Sequence, residues 1–301
     1  MADEVLYDSH PELERPVLIA AFRGWNDGGQ GASLAGAYLA RAWAAREFAT
    51  IDPESFYDFQ ATRPMVSLVD GESRRIDWPE NSFLHAPLPG AGRDAIIMLG
   101  VEPNLRWRTF SQLIADLARE YRVELVLTLG SLLADVPHTR SAPVTGSATD
   151  PSLIEELGFQ LSRYEGPTGI VGVLHDACSR AGLKSASLWA AVPHYVSLTP
   201  SPRAAKALVD RLADLLGADI DTAELDEAAE SYTQQVSEAV ATDEETSAYV
   251  QELERRADEL AGEEDIPSGD ALAAELTRYL RERENGDDNG GEDVARRPPQ
   301  S

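Results

Sequence analysis

VLIAAF at 17–22, RGWNDGGQG at 23–31 and ASLAGAYLARAWAAREF at 32–48 follow one another without a break. The first is a short apolar run behind Pro16, the pattern of a strand buried on both faces. The last is Ala-rich, with Leu34, Ala35, Tyr38, Leu39, Ala42 and Trp43 recurring at helical steps, which predicts a helix over 32–48. Between them lies a glycine-rich turn. Strand, turn and helix in this order are the opening unit of an α/β protein.

Working outward, residues 94–101 (DAIIMLGV) and 124–130 (ELVLTLG) repeat the buried-strand pattern, with an amphipathic helix predicted over 106–121. That spacing is a βαβ crossover and implies parallel pairing. Residues 53–89 are short, β-rich and broken by Pro, Gly and Asp, which suggests hairpins or a meander. Farther on, the expected elements are a short helix at 150–158 and strands at 158–164 and 185–195. Helices are expected at 168–182, after an opening turn, and at 201–217. The fold class is therefore α/β, a three-layer arrangement with a mixed central sheet flanked by helices.

Strand patterns end at Gly217. Leu225, Ala229, Tyr232, Val236 and Val240 mark one helical stripe, and Tyr249, Val250, Leu253, Ala257 and Leu260 a second. A capping box at 242–245 separates them, and a third helix is expected at 268–284 with Ser268 as N-cap. The organisation is a body at 1–220, an acidic helical extension at 221–284, and a disordered tail at 285–301 with almost no apolar content.

Charge follows the same division. The net charge is −26, and residues 217–301 hold 25 acidic side chains against 7 arginines, so most of the imbalance sits in the extension and tail. Such a surface excludes a nucleic-acid reader and disfavours anionic membranes. No apolar run approaches 18 residues, so no membrane span is expected. The start MADEVLYDSH has no signal-peptide pattern, and the lone Cys178 fits a reducing compartment, so a cytoplasmic location is expected.

Two segments hold residue types suited to binding or chemistry. In the turn, Arg23, Asn26, Asp27, Gly28 and Gly29 stand where a strand meets a helix start, and backbone N–H groups there favour an anion. The phosphate-loop fingerprint fails because no Gly-Lys-Ser/Thr follows Gly24, and the dinucleotide fingerprint because Gly29-x-Gly31 is followed by Leu34 where a third glycine is wanted. A tight structural turn, a small-anion or ligand loop and a partner-contact loop all remain open. The second segment is Ser131–Arg140, after the strand at 124–130. Here Asp135 could orient His138 and Arg140 hold an anion, as in an acid/base site; a self-satisfied polar loop or a protein-contact surface fits as well. His175 and Cys178 share a helical face as a nucleophile pair would, but the apolar neighbours of Cys178 fit a structural cysteine. The five histidines have no metal-ligand spacing. No metal, cofactor or catalytic residue is therefore expected.

Four stretches in register, PVLIAAFRGWNDGGQGA, LVLTLGSLLADVPHTR (125–140), GPTGIVGVLHDACSRAG (166–182) and SLWAAVPHYVSLTPSPRAAKALVDRL (187–212), resemble the proteasome assembly chaperone 2 family. The likeness covers 16–284 and is nearest to longer, actinobacterial-type members with an acidic helical extension. The resemblance implies a phosphorylase/hydrolase-like three-layer fold, self-association into a homo-oligomer, and proteasome α subunits as partners. Relatives that dock on proteasomes can end in a hydrophobic–Tyr–any-residue tail, whereas this sequence ends Arg-Pro-Pro-Gln-Ser and Tyr279 is internal. The expected function is a non-enzymatic assembly or binding protein. The alternatives are a nucleoside- or phosphoester-type hydrolase or transferase using 23–31 and 135–140, and a small-anion sensor.

Overall fold

The structure, a computed structural model, describes residues 4–70, 73–148, 150–161 and 164–262. Its strands are β1 (Val5–Tyr7), β2 (Val17–Arg23), β3 (Arg46–Ile51), β4 (Met65–Val69), β5 (Ser73–Asp77), β6 (Ser82–Leu88), β7 (Arg93–Val101), β8 (Leu125–Ala134), β9 (Val144–Ala148), β10 (Gln160–Leu161) and β11 (Ser185–Pro193). The helices are α1 (Gly31–Ala42), α2 (Trp107–Glu120), α3 (Pro151–Leu157), α4 (Ile170–Arg180), α5 (Pro202–Leu216), α6 (Ala223–Val240) and α7 (Glu244–Gly262).

β2 sits in the middle of a nine-stranded mixed sheet of order β1-β3-β6-β7-β2-β8-β11-β9-β10. Because side chains alternate across a strand, Val17, Ile19 and Ala21 enter one core and Leu18, Ala20 and Phe22 the other. The first core is closed by α1 and α5, through Ala35, Leu39, Leu208 and Leu212. The second is closed by α2 and α4, through Phe110, Ile114, Leu174 and Cys178. This is the three-layer α/β architecture expected from the sequence.

Three sequence expectations change in detail. β7 and β8 are parallel, as the crossover requires, but each pairs with β2, which lies between them. The doubly buried β2 takes the central place, where both of its edges are hydrogen-bonded. The helix expected to reach residue 48 stops at Ala42: Ala44 has φ 49° and ends the turn. Phe48, Ala49 and Ile51 then enter the core as β3, the strand that pairs β1 and β6 and is bulged between Glu47 and Ala49. Within 53–89 the hairpin β4–β5 and strand β6 form, but 53–55 is a 3-10 turn capped by Asp52, which buries Phe56 and Tyr57.

The helical extension packs on the body as far as it is described. Leu225, Ala229, Tyr232 and Val236 of α6 are buried, and Val250 and Leu253 of α7 are as well. Its start is fixed to α1, where the Tyr38 hydroxyl donates to the Asp221 carbonyl (2.8 Å) and Arg41 pairs with Glu224. Asp243, rather than Thr242, caps α7, accepting from the Glu245 N–H at 3.0 Å. The helix expected at 268–284, the tail and Tyr279 lie outside the described residues, as does part of the strand expected at 158–164.

Candidate functional site

The two segments singled out in the sequence meet the same end of the sheet. β2 pairs with β8 in parallel, and the turn after β2 continues that pairing through a bridge between Asp27 and Ser131. β8 runs on to Ala134, four residues past the expected strand end, so the second loop begins only at Asp135.

Asp27 is buried over the start of α1. Its carboxylate accepts from the Ala32 N–H (2.9 Å), the Ser33 N–H (3.1 Å) and the Ser33 hydroxyl (2.6 Å). Backbone donors at a helix start attract an anion, and here the chain's own carboxylate takes that place. Gly29, with φ 59°, presses its Cα against Val192: a Cβ would come within 2.9 Å of Val192 Cγ1. The tight turn lets the Ser201 N–H reach the Gly29 carbonyl at 2.8 Å. Beside it, Glu102 accepts from the Trp25 N–H (3.0 Å) and from the Ile170 N–H at the start of α4 (2.8 Å). Asn26 is buried, and Arg23 is exposed at the end of β2.

The second loop is bound to the extension residue by residue. His138 is buried. Its N–H donates to the Tyr195 hydroxyl (2.8 Å), which lies 2.8 Å from Nδ1; Nε2 lies 3.0 Å from Ser237 Oγ on α6. Ser237 in turn donates to the Thr233 carbonyl at 2.8 Å. With both oxygens' hydrogens so placed, the network assigns a neutral ring protonated on Nε2. Burial, reinforced by the nearby Arg203 charge, lowers the His138 pKa below the ordinary histidine value. Burial also pushes the Tyr195 hydroxyl up to about 12, which keeps it protonated.

Asp135 does not orient His138. Its Oδ1 accepts from the Tyr249 hydroxyl of α7 (2.9 Å) and lies 2.9 Å from His194 Nε2. Arg140 makes a bidentate pair with Asp258 of α7, both bonds at 2.8 Å, and reaches Glu254 at 3.4 Å. That carboxylate pairing raises the guanidinium pKa further and lowers the Asp258 carboxyl below the usual range. Arg203 joins α5 to the same seam, donating to Thr233 Oγ1 (2.9 Å) and to the Arg140 carbonyl. The recess enclosed by Pro137, His138, Ser201, Arg203 and Tyr232 has room for about one water molecule.

His175 and Cys178 do not pair with each other. His175 bonds the hydroxyls of Ser185 (2.9 Å), Ser187 (3.0 Å) and Thr128 (3.1 Å) on the sheet. Burial drops its pKa to about 4, and burial pushes the Cys178 thiol up to about 12, the opposite of an activated nucleophile. Among the described residues, no group of three or more His, Cys, Asp or Glu is placed to hold a metal ion. No described helix is long and apolar enough to cross a membrane.

Sequence reasoning reached Asp135, His138 and Arg140 but missed their partners. Tyr195 follows β11 as Asp135 follows β8, so the same strand-end logic could have found it. Tyr249 was read only as part of the apolar stripe of α7, and Ser237, Glu254 and Asp258 carry no signal beyond lying beside the stripes of α6 and α7.

Comparison with known proteins gives a consistent picture. A family model described as PAC2 family matches residues 21–240. The chain is similar to the crystal structure of a PAC2 family protein from Streptomyces avermitilis, with 46% identity and a TM-score of 0.73 over 78% of this chain and 99% of that one. It is similar to the Mycobacterium tuberculosis proteasome-assembly chaperone homologue Rv2125, with 45% identity and a TM-score of 0.71 over 78% and 99% of the two chains. M. tuberculosis Rv2714, a protein of unknown function, shares 26% identity and a TM-score of 0.79 over 91% and 96%. No curated protein matches.

Proposed function

This chain belongs to the PAC2 family, and we propose that it is a non-enzymatic assembly chaperone that works by binding a protein partner, with proteasome α subunits as the client class. The observation that carries the reading is how Asp135, His138 and Arg140 are used. Each is engaged by Tyr249, Ser237 or Asp258 of the chain's own extension, at the strand ends where an α/β enzyme would present substrate-binding groups. The hydrolase or transferase alternative finds no support, because its acid/base pair is divided between two separate networks. The anion-sensor alternative loses its N–H donors to Asp27.

With the loop so engaged, α6 and α7 are part of the protein's surface and not a free arm. Their outward faces carry Glu227, Glu230, Glu238 and Glu259, a charged face of the kind that steers association with a complementary partner. Self-association and a cytoplasmic setting belong to the same proposal. The test is co-purification with proteasome α subunits from the same cell, followed by size exclusion of the mixture. A stable complex at micromolar concentrations is the expected result. Absence of any complex in that range overturns the client assignment.

A further inference from the structure

We propose that the β4–β5 hairpin is a contact surface for a second copy of this chain, through the face bearing Val66, Leu68, Ile76 and Trp78. The inference rests on the self-association included in the chaperone reading and gives it a location.

β4 and β5 form a two-stranded sheet separate from the nine-stranded one. Their register places Val66 opposite Ile76 and Leu68 opposite Arg74. Since paired residues share a face and alternate residues return to it, Val66, Leu68, Ile76 and Trp78 line one side. The other side is mixed: Asp77 accepts from Arg75 Nε (2.6 Å) and from the Ser67 hydroxyl (2.9 Å), and these polar groups stand between Met65 and Val69, which are themselves exposed. The apolar side has no such cover. Val66 is 60% exposed, Leu68 64%, Ile76 52% and Trp78 48%. Trp78 touches the body, with its ring edge-on to Phe59 at 4.8 Å. A lone two-stranded hairpin is marginal in water, and an uncovered apolar face on it calls for a partner.

Two quantities select a second copy as that partner. Four side chains exposed by about half present on the order of 400 Å² of apolar surface, close to the apolar share of one side of a standard interface of ~800 Å². Charge gives the second. Residues 63–78 hold three arginines and three carboxylates, so this segment is balanced in a chain of net charge −26. Two copies meeting there avoid the acid-on-acid repulsion that the rest of their surface would impose. A strongly charged foreign partner gains nothing from a balanced patch. Arg74, the one charge on the apolar side, is exposed and makes no ion pair among the described residues.

The test uses the purified full chain alone, so its failure is separate from failure to bind α subunits. Light scattering after size exclusion should give the wild type a mass at a multiple of 32.7 kDa. Leu68→Glu and Val66→Glu should each weaken association by about tenfold or more, while Ser73→Glu on the opposite side leaves the mass unchanged. Circular dichroism checks that the variants fold. Independently of any variant, amide exchange across 65–77 should slow as wild-type concentration rises from about 1 to about 100 µM. A wild type that stays monomeric, an L68E protein that keeps the wild-type mass, or hairpin exchange that ignores concentration would each overturn the proposal.

Discussion

Tyr232→Ala separates an extension that is integral to the body from one that merely trails behind it. Tyr232 is 4% exposed, packs beside His138 and Arg203, and donates its hydroxyl hydrogen to the Leu198 carbonyl at 3.2 Å. Emptying a buried aromatic site costs about 3–5 kcal/mol, and the lost hydrogen bond adds about 1 kcal/mol. For a chain of this size that sum lowers the melting temperature by roughly 10 °C. Tyr232→Phe removes the hydroxyl alone and should cost only a few degrees, on the order of 2–4 °C. Leu260→Ala, at an exposed position of α7, is the control and should change little. The assay is thermal unfolding followed by circular dichroism, with amide exchange over α6 to detect local opening. A Tyr232→Ala protein that melts with the L260A control and exchanges α6 like the wild type would refute the docking of α6 on α5.

Three further outcomes follow from the same contacts. His138 has a folded pKa below its unfolded value of about 6.5, so the unfolded state binds the extra proton first. Its contribution is complete above that value and is lost as pH falls through the folded pKa; urea midpoints measured between pH 7.5 and pH 5, a range about the unfolded value, should decline less steeply in His138→Gln than in the wild type. Asp27→Asn weakens the acceptor held by Ala32 and Ser33, and should cost about 1–3 kcal/mol in urea unfolding; an unchanged midpoint would count against Asp27 as the cap of α1. Gly130→Ala would set a Cβ 2.4 Å from the Trp189 ring at the β8–β11 pairing, an overpacking worth about 1–3 kcal/mol or more. A fully stable G130A protein would show that Trp189 moves freely.

The doubly buried strand 17–22, the glycine turn and the helices at 31–42, 107–120, 170–180 and 202–216 were legible because local patterns encode them. A strand apolar at every position must be covered on both faces, and a helix with one apolar stripe must supply the cover. Residues 43–51 were misread for a related reason. Ala-rich sequence favours helix locally, while the choice of β3 depends on Phe48 finding Phe83 on β6 and Tyr121 at the end of α2. The polar loop was found as a location but not as a set of partners. Asp135 and His138 lie three residues apart, yet Asp135 turns to Tyr249 and His138 to Ser237, contacts more than ninety residues away in sequence.

The sequence by itself determined the α/β class, the buried strand at 17–22 and the concentration of charge after Gly217, since all of these follow from periodicity and composition along the chain. Only the tertiary structure decided that β2 lies between β7 and β8, that Asp27 fills the start of α1, and that the acidic helices close over Asp135, His138 and Arg140. Each of those depends on which polar groups become neighbours once the apolar faces are buried. Folding sets that through geometry across the whole chain, and a local pattern carries no record of it.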